Sequence, residues 1–463
     1  MNKKDLLEKL ERGEPVFTSF PTPIPGVLPR VCGMECEFGV GNTPDGRLDI
    51  HCPSVVLPNG GQFYPDQQKQ VEFCTGECPD VVWLVAEHEA GKREAVERQL
   101  SPRLFNNSRD WLGSCFGTHE NVCTNASEQY WHLLVPLLLA RVVINGAGFY
   151  FDDKNFHISQ RAGSITEAFA DRAHEEKPIF LNRSHEPLAN IDGYSRLHLS
   201  VSDGKCNESA LFLSFGILLL AVKLLERKVL PYVAYDSTRV HSDITRLSET
   251  LTPDDWYLSG VMKGKRGVLE LLWLYHDAMR VHLKGMDEVS DIVLDLFQDT
   301  LERFSSPNFI FLLRRRIDWI QKYWILDKFW KKFNSEPNRR ELLRSNDLAY
   351  HDLYPETGLW STIQQVLQPE KIVSEEMIRY AQVNPPPNVR SFIRGTCVQL
   401  CWQSPRAFQV IPGEWNRLTI IQGAYPVSRY YTTPNKDDIV AQFELPDPRL
   451  NYANLVEEVR RVL

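Results

Sequence analysis

Five acidic residues on two short strand-like runs constrain this chain more than any other feature. Residues 31–40 read VCGMECEFGV, and a period of two puts Glu35 and Glu37 on one face with Met34, Cys36 and Phe38 on the other. Residues 59–78, NGGQFYPDQQKQVEFCTGEC, add Asp66, Glu72 and Glu77. The Asn59-Gly60-Gly61 start is a turn, and Phe63 and Pro65 alternating with Tyr64 and Asp66 predict a strand with one face on a core and the other on a cleft. Glu72 and Cys74 project to one side. Such acids either face water on an edge strand or crowd around a cation. The second acidic run favours the cation, because like charges side by side repel until a hard divalent ion such as Mg2+ neutralises them.

With 463 residues, 43% of them hydrophobic, the chain has the length for two or three domains, and one large catalytic unit with a smaller appendage fits as well. The net charge of −8 argues against a nucleic-acid or anionic-membrane binder. Three cysteine pairs share a spacing of four, Cys32/Cys36, Cys74/Cys78 and Cys397/Cys401. None is a C-x2-C pair, so buried reduced thiols and a cytoplasmic chain are expected.

Residues 1–14 suit a short amphipathic helix, and the apolar run 210–225 suits a buried one. Further helices are expected at 127–144, 267–284, 287–304 and 309–333. The last mixes Arg314–Arg316 and Lys322 with Trp319 and Trp324, a pattern seen in single-strand binders. Its apolar spacing, Leu313, Ile317, Ile320 and Trp324, favours an amphipathic helix with a charged outer face. The prolines at 385–387 cannot be helical and predict a joint. Residues 1–383 would then be the catalytic domain, and 384–463 a small α+β domain with strands at 408–410 and 418–421 and a terminal helix near 450–463.

No GxxxxGK[ST], GxGxxG, HExxH or GxSxG motif is present. Nucleotide chemistry would therefore run from acids and metals on a sheet. The blocks GMECEFGV (33–40), 59–78, FGTHEN (116–121), INGAGF (144–149), SQR (159–161), NRSHEP and YSRLHLSVSD (182–203), LAYHDL (348–353) and NPPPNVRSFIRG (384–395) resemble, in this order, the Pup ligase and depupylase family, relatives of glutamine synthetase. The resemblance implies an α+β fold, a curved antiparallel sheet backed by helices. It implies ATP and Mg2+ as cofactors, and a small ubiquitin-like modifier or another carboxylate as partner. The γ-phosphoryl group of ATP passes to a carboxylate, and the acyl phosphate is attacked by a lysine amine; a depupylase instead hydrolyses the isopeptide bond.

By the same resemblance, Glu35, Tyr64 and Glu72 match magnesium positions and Asp66 matches the catalytic base. Thr75 and Trp415 match nucleotide contacts. Gln62 stands where the family usually has an arginine that touches ATP. Glu37 and His198 are further metal candidates, with Glu77, His119 and Glu120 beside them in matching motifs. Arg161, Arg390 and Arg394 are candidate phosphate clamps, since a guanidinium fork fits phosphate oxygens. The chain departs from the family at 70–73, 182–188 and 202–208, and its segment between Val40 and Leu57 lacks the long insertion of depupylases. A carboxylate–amine ligase is the leading expectation. The alternatives are a depupylase-like hydrolase or phosphatase, and a non-catalytic protein-binding relative.

Overall fold

The computed structural model describes residues 1–23, 28–41, 50–66, 70–110, 113–150, 155–171, 177–183, 191–262, 266–332, 338–411, 415–423 and 436–463. The family departures at 184–188, residue 333 of the last expected helix, and residues 42–49 of the shortened 41–56 segment lie outside these residues.

A nine-stranded sheet organises the chain. Its strands are β1 (Cys32–Val40), β2 (Val55–Val56), β3 (Gln62–Pro65), β4 (Val71–Cys74), β5 (Leu104–Phe105), β6 (Thr118–Thr124), β9 (Glu167–Ala170), β10 (Pro178–Leu181) and β11 (Ser195–Ser202). They run in the order β2-β3-β4-β1-β6-β11-β10-β9, with β5 pairing β1 at its end. Every pairing is antiparallel except β9 with β10, which is parallel, so the sheet is mixed at one edge. Two short hairpins lie apart from it, β7 (Phe149–Tyr150) with β8 (Phe156–His157) and β12 (Tyr257–Leu258) with β13 (Arg266–Gly267).

Alternation along the central strands sorts the side chains. Met34, Cys36, Phe38, Phe63, Phe73, Val122, Leu197 and Leu199 are buried in the main core, each contributing roughly 1–3 kcal/mol by leaving water. Two helices cover this face. The first, Val81–Glu97, starts where the Asp80 carboxylate accepts the amides of Val82 and Trp83. The second, Glu208–Glu226, is capped by Asn207 and buried on nearly all sides. Its length and apolarity would let it cross a membrane, but burial in the protein core accounts for both.

Gly91 lets the first helix sit close to the sheet: a Cβ there would fall 2.1 Å from the Phe73 ring. Glycine in a helix ordinarily costs up to about 1 kcal/mol relative to alanine. Here the sign reverses. Gly91→Ala is expected to destabilise the fold by about 1–3 kcal/mol through overpacking, read as a lowered urea midpoint with an unchanged slope.

The expected helices at 267–284 and 287–304 are Val268–Leu283 and Glu288–Phe304, and the first residues form Lys3–Glu11. Two expectations need correction. Residues 127–144 form a 3-10 turn, Glu128–Leu134, followed by the short helices Val135–Ala140 and Val142–Asn145. The segment expected as one helix from 309 breaks between Phe309–Leu313 and Asp318–Lys332. The break places Arg316 inside the protein, where it meets Asp299 at 2.6 Å and Glu370 at 2.7 Å. Buried charge with two carboxylate partners outweighs a turn of helix.

A second core gathers Val56, Ile393, Cys397, Val398, Phe408, Leu418, Ile420, Leu445 and Val459. It is built on helix Ser391–Gln403 and the antiparallel strands β14 (Phe408–Val410), β15 (Arg417–Gln422) and β16 (Ile439–Glu444), with helix Val456–Val462 closing it. The helix Glu375–Val383 stops at Asn384, ahead of the prolines. The two cores meet where the Gly60 turn, with φ of +85°, comes against Ser391; a Cβ there would lie 2.5 Å from the Ser391 carbonyl oxygen.

Candidate active site

Register brings the acids together. Across β1 and β4, Glu37 pairs with Glu72 and Glu35 with Cys74; β3 adds Tyr64 opposite Glu72 and Gln62 opposite Cys74. On the other side, His119 of β6 stands opposite Glu35, and Asn121 stands opposite His198 of β11. Residues directly opposite share a face, so one side of the sheet carries Glu35, Glu37, Tyr64, Glu72, Cys74, His119, Asn121 and His198.

The Glu35 carboxylate is the hub. His119 Nδ1 lies 3.0 Å from Oε2 and Asn121 Nδ2 donates to Oε1 at 3.2 Å. The Arg196 guanidinium pairs with the same oxygen. Burial pushes this carboxyl upward, yet Arg196, His198 and His119 outweigh it and hold it well below the usual carboxylate range. Asn121 Oδ1 accepts from Arg196 Nε at 2.8 Å and lies 2.8 Å from His198 Nδ1. Arg196 Nη2 lies 3.2 Å from the same Nδ1, so both residues hold the ring from that edge, with Nε2 on the other. That Nε2 is buried and has no hydrogen-bond partner among the described residues. Burial keeps the imidazole neutral, with its pKa well below the usual value.

Glu72 behaves oppositely. Burial, then the charges of Glu35, Glu37 and Asp66, push its carboxyl well above the usual range. Tyr64 donates to its Oε1 at 2.9 Å, and the Cys74 sulfur lies 2.8 Å from the same hydroxyl. Glu37 accepts the Gly117 amide at 2.7 Å. Asp66 follows β3, half-buried, and its amide donates to the Gln70 carbonyl at 2.9 Å.

This side of the sheet fits a divalent cation. Glu35, His119 and His198 each offer a ligand atom, all within 4.8 Å of one another. The unpartnered His198 Nε2 and the crowding of Glu72 by Glu35, Glu37 and Asp66 fit such an ion.

Next to the cluster an open cleft with about 100 Å³ of free space lies between the sheet and the C-terminal core. Glu35 and Thr75 lie in its wall on one side, Arg390, Trp415 and Pro448 on the other. Thr75 is fixed by a two-way bond with Met34: its hydroxyl accepts the Met34 amide at 3.0 Å and its own amide bonds Met34 O at 2.9 Å.

Several expected residues sit elsewhere or differently. Gln62 shares the face but is buried and is not a wall of this cavity. Arg161 is buried, and its fork donates to the carbonyls of Ser200, at 2.8 Å, and Phe116, so it ties two segments together. Glu120 faces the core, where its carboxylate pairs with buried Arg141; the period of two that brings His119 to the cleft turns its neighbour away. Glu77, Arg390 and Arg394 bind one another, both arginines closing on Glu77 at 2.8 and 2.9 Å. Burial raises that carboxyl, but Arg394 and Arg390 bring it down to about 2. Arg196 and Asn121 were missed as members of the Glu35 cluster. Both lie two residues from a named histidine, and that spacing was signal enough.

A large mixed sheet backed by helices, with a small C-terminal unit beside it, is the α+β architecture that the resemblance implies. The model of the family described as Pup-ligase protein matches residues 40–419, and the chain belongs to that family. Glu35 and Glu37 precede the matched span, so sheet geometry supports them independently. The chain is 27% identical over 431 residues to the Pup–protein ligase of Actinosynnema mirum, covering 84% of this chain and 93% of the relative. To that of Mycobacteroides abscessus it is 26% identical over 439 residues, with the same coverage. Among solved structures it is similar to the Pup ligase PafA in complex with Pup, with a TM-score of 0.76 at 22% identity, covering 94% of this chain and 92% of PafA. For PafA in complex with ADP the TM-score is 0.74 at 23% identity, with 89% and 90% covered.

Proposed function

We propose that this protein is an ATP- and Mg2+-dependent Pup ligase that joins a carboxylate of a small ubiquitin-like modifier to a lysine amine. One observation carries the reading: Glu35 belongs both to the cation-type cluster and to the wall of the cavity that Trp415 closes. A nucleotide with its base against Trp415 would direct its phosphates toward the acids.

Mg2+ would be held by Glu35, Tyr64 and Glu72, with Glu37 and His198 beside them, and supplies positive charge to the phosphate oxygens. The substrate carboxylate oxygen attacks the γ-phosphorus and ADP leaves. The lysine nitrogen then attacks the acyl carbon and phosphate leaves. Asp66, within electrostatic reach of Glu72, takes the proton the ammonium must lose before it can attack. Thr75, locked onto β1, and Trp415 orient the nucleotide. All ten cysteines are unpaired and buried, which supports a reducing, cytoplasmic setting.

Purified protein with Mg2+ and ATP is assayed for ADP and phosphate, alone and with a Pup-type modifier plus an amine acceptor. ADP formation that requires both partners is expected. Phosphate release indifferent to the amine would overturn the ligase reading in favour of a hydrolase.

A further inference from the structure

Glu77 lies at the seam between the two cores, in the cavity wall beside Thr75 and Gly76, and its contacts reach across. Both its oxygens face Arg394, with NH1 at 2.9 Å and NH2 at 3.1 Å. The same guanidinium donates from NH2 to the Trp415 carbonyl at 3.0 Å and lies 4.7 Å from the centroid of the Trp415 ring. Arg394 NH1 also reaches the Gly60 carbonyl at 2.9 Å. Arg390 completes the group: its Nε donates to Glu77 at 2.8 Å and its NH1 to the Leu445 carbonyl at 3.0 Å. One buried carboxylate therefore holds two arginines, and each arginine holds a backbone carbonyl of the C-terminal unit. Beneath it, buried Glu87 accepts the Gly76 amide at 2.8 Å and fixes the loop that presents Glu77.

We infer that Glu77 is a positioning residue for nucleotide binding, acting through Arg394 to hold the backbone and ring of Trp415 over the cavity. The inference rests on reading Trp415 as the contact for the nucleotide base. A guanidinium fork satisfied on one edge by a carboxylate has its plane fixed, and a ring lying against that plane takes its orientation from it. Without Glu77 the guanidinium loses the partner that sets its plane, and its buried N–H donors are left unsatisfied. A nucleotide then has to order the ring itself, and affinity falls while the acid cluster stays as it was.

The test uses the full chain and measures ADP and inorganic tripolyphosphate affinities by calorimetry for Glu77→Gln, Arg394→Lys and Trp415→Ala. Glu77→Gln and Arg394→Lys are expected to weaken ADP about tenfold and to raise KM for ATP by more than they lower kcat. Tripolyphosphate, which has no base to place, is expected to bind all variants as it binds the parent. If Trp415→Ala weakens ADP but the other two variants do not, the positioning role is wrong and the Trp415 contact stands. If Trp415→Ala leaves ADP affinity unchanged, the contact itself is wrong. Equal weakening of tripolyphosphate and ADP would mark a general loss of structure and overturn the inference. Should Glu77→Gln fail to fold, Arg394→Lys decides, since it keeps the charge beside Glu77 and loses only the fork.

Discussion

Asp66→Asn is expected to lower kcat for lysine acceptors by about 10²–10⁴-fold, the range for loss of a positioned general base, while ADP affinity changes by less than about threefold. Asn keeps the shape at the end of β3 but cannot accept the ammonium proton. Two further readings isolate that role. The residual rate of the variant should climb about tenfold per pH unit as free amine becomes available, since an unperturbed lysine titrates near 10.4. Hydroxylamine, already neutral at pH 7, should restore much of the turnover when it replaces lysine. Ordinary turnover with a lysine acceptor in the variant would remove Asp66 from the mechanism.

Glu72→Gln is expected to move activity and stability in opposite directions. Turnover falls by at least about 100-fold, because a ligand position is lost. The metal-free protein gains on the order of 1–3 kcal/mol at neutral pH. The sign follows from the folded-state pKa lying above the ordinary carboxyl value of 4.5, raised by burial and by Glu35, Glu37 and Asp66. The folded state then keeps a proton that the unfolded chain releases. The contribution is complete below about pH 4.5 and is lost as pH rises toward the folded value. Gln carries no such proton. The Tm difference between variant and parent should therefore widen between pH 5 and pH 8. Added Mg2+ should raise the parent's Tm and affect the variant little. A variant less stable than the parent at pH 8 without metal would show that Glu72 is no stored repulsion.

The features readable in the sequence are those that local rules control. Alternation alone put Glu35 and Glu37 opposite Met34, Cys36 and Phe38, and β1 has that pattern. The Asn59-Gly60-Gly61 turn, the buried helix Glu208–Glu226 and the strand holding His198 followed from turn chemistry, apolar length and period two in the same way. The errors have another origin. Glu77 looked like one more acid in a cluster because its partners lie 313 and 317 residues away in the chain. Arg316 looked like the outer face of a helix because Asp299 and Glu370, which draw it inward, sit on other elements. Glu120 was grouped by motif when the alternation that brings His119 to the cleft already assigned it to the core side. Long-range pairing of buried charge defeats local periodicity, and it acts at the seam of the site.

The cavity beside the acids draws its walls from Val31 at one extreme to Pro448 at the other. During synthesis, at about 5–20 residues per second, the strands bearing Glu35, His119 and His198 all emerge long before Trp415 and Pro448. Those three residues are thus synthesised in a nascent chain that does not yet have this cavity. A ligand stabilises only states able to bind it, so ATP can secure the finished fold but cannot guide assembly of the central sheet. The sheet must hold its crowded carboxylates through that interval with protons or metal alone.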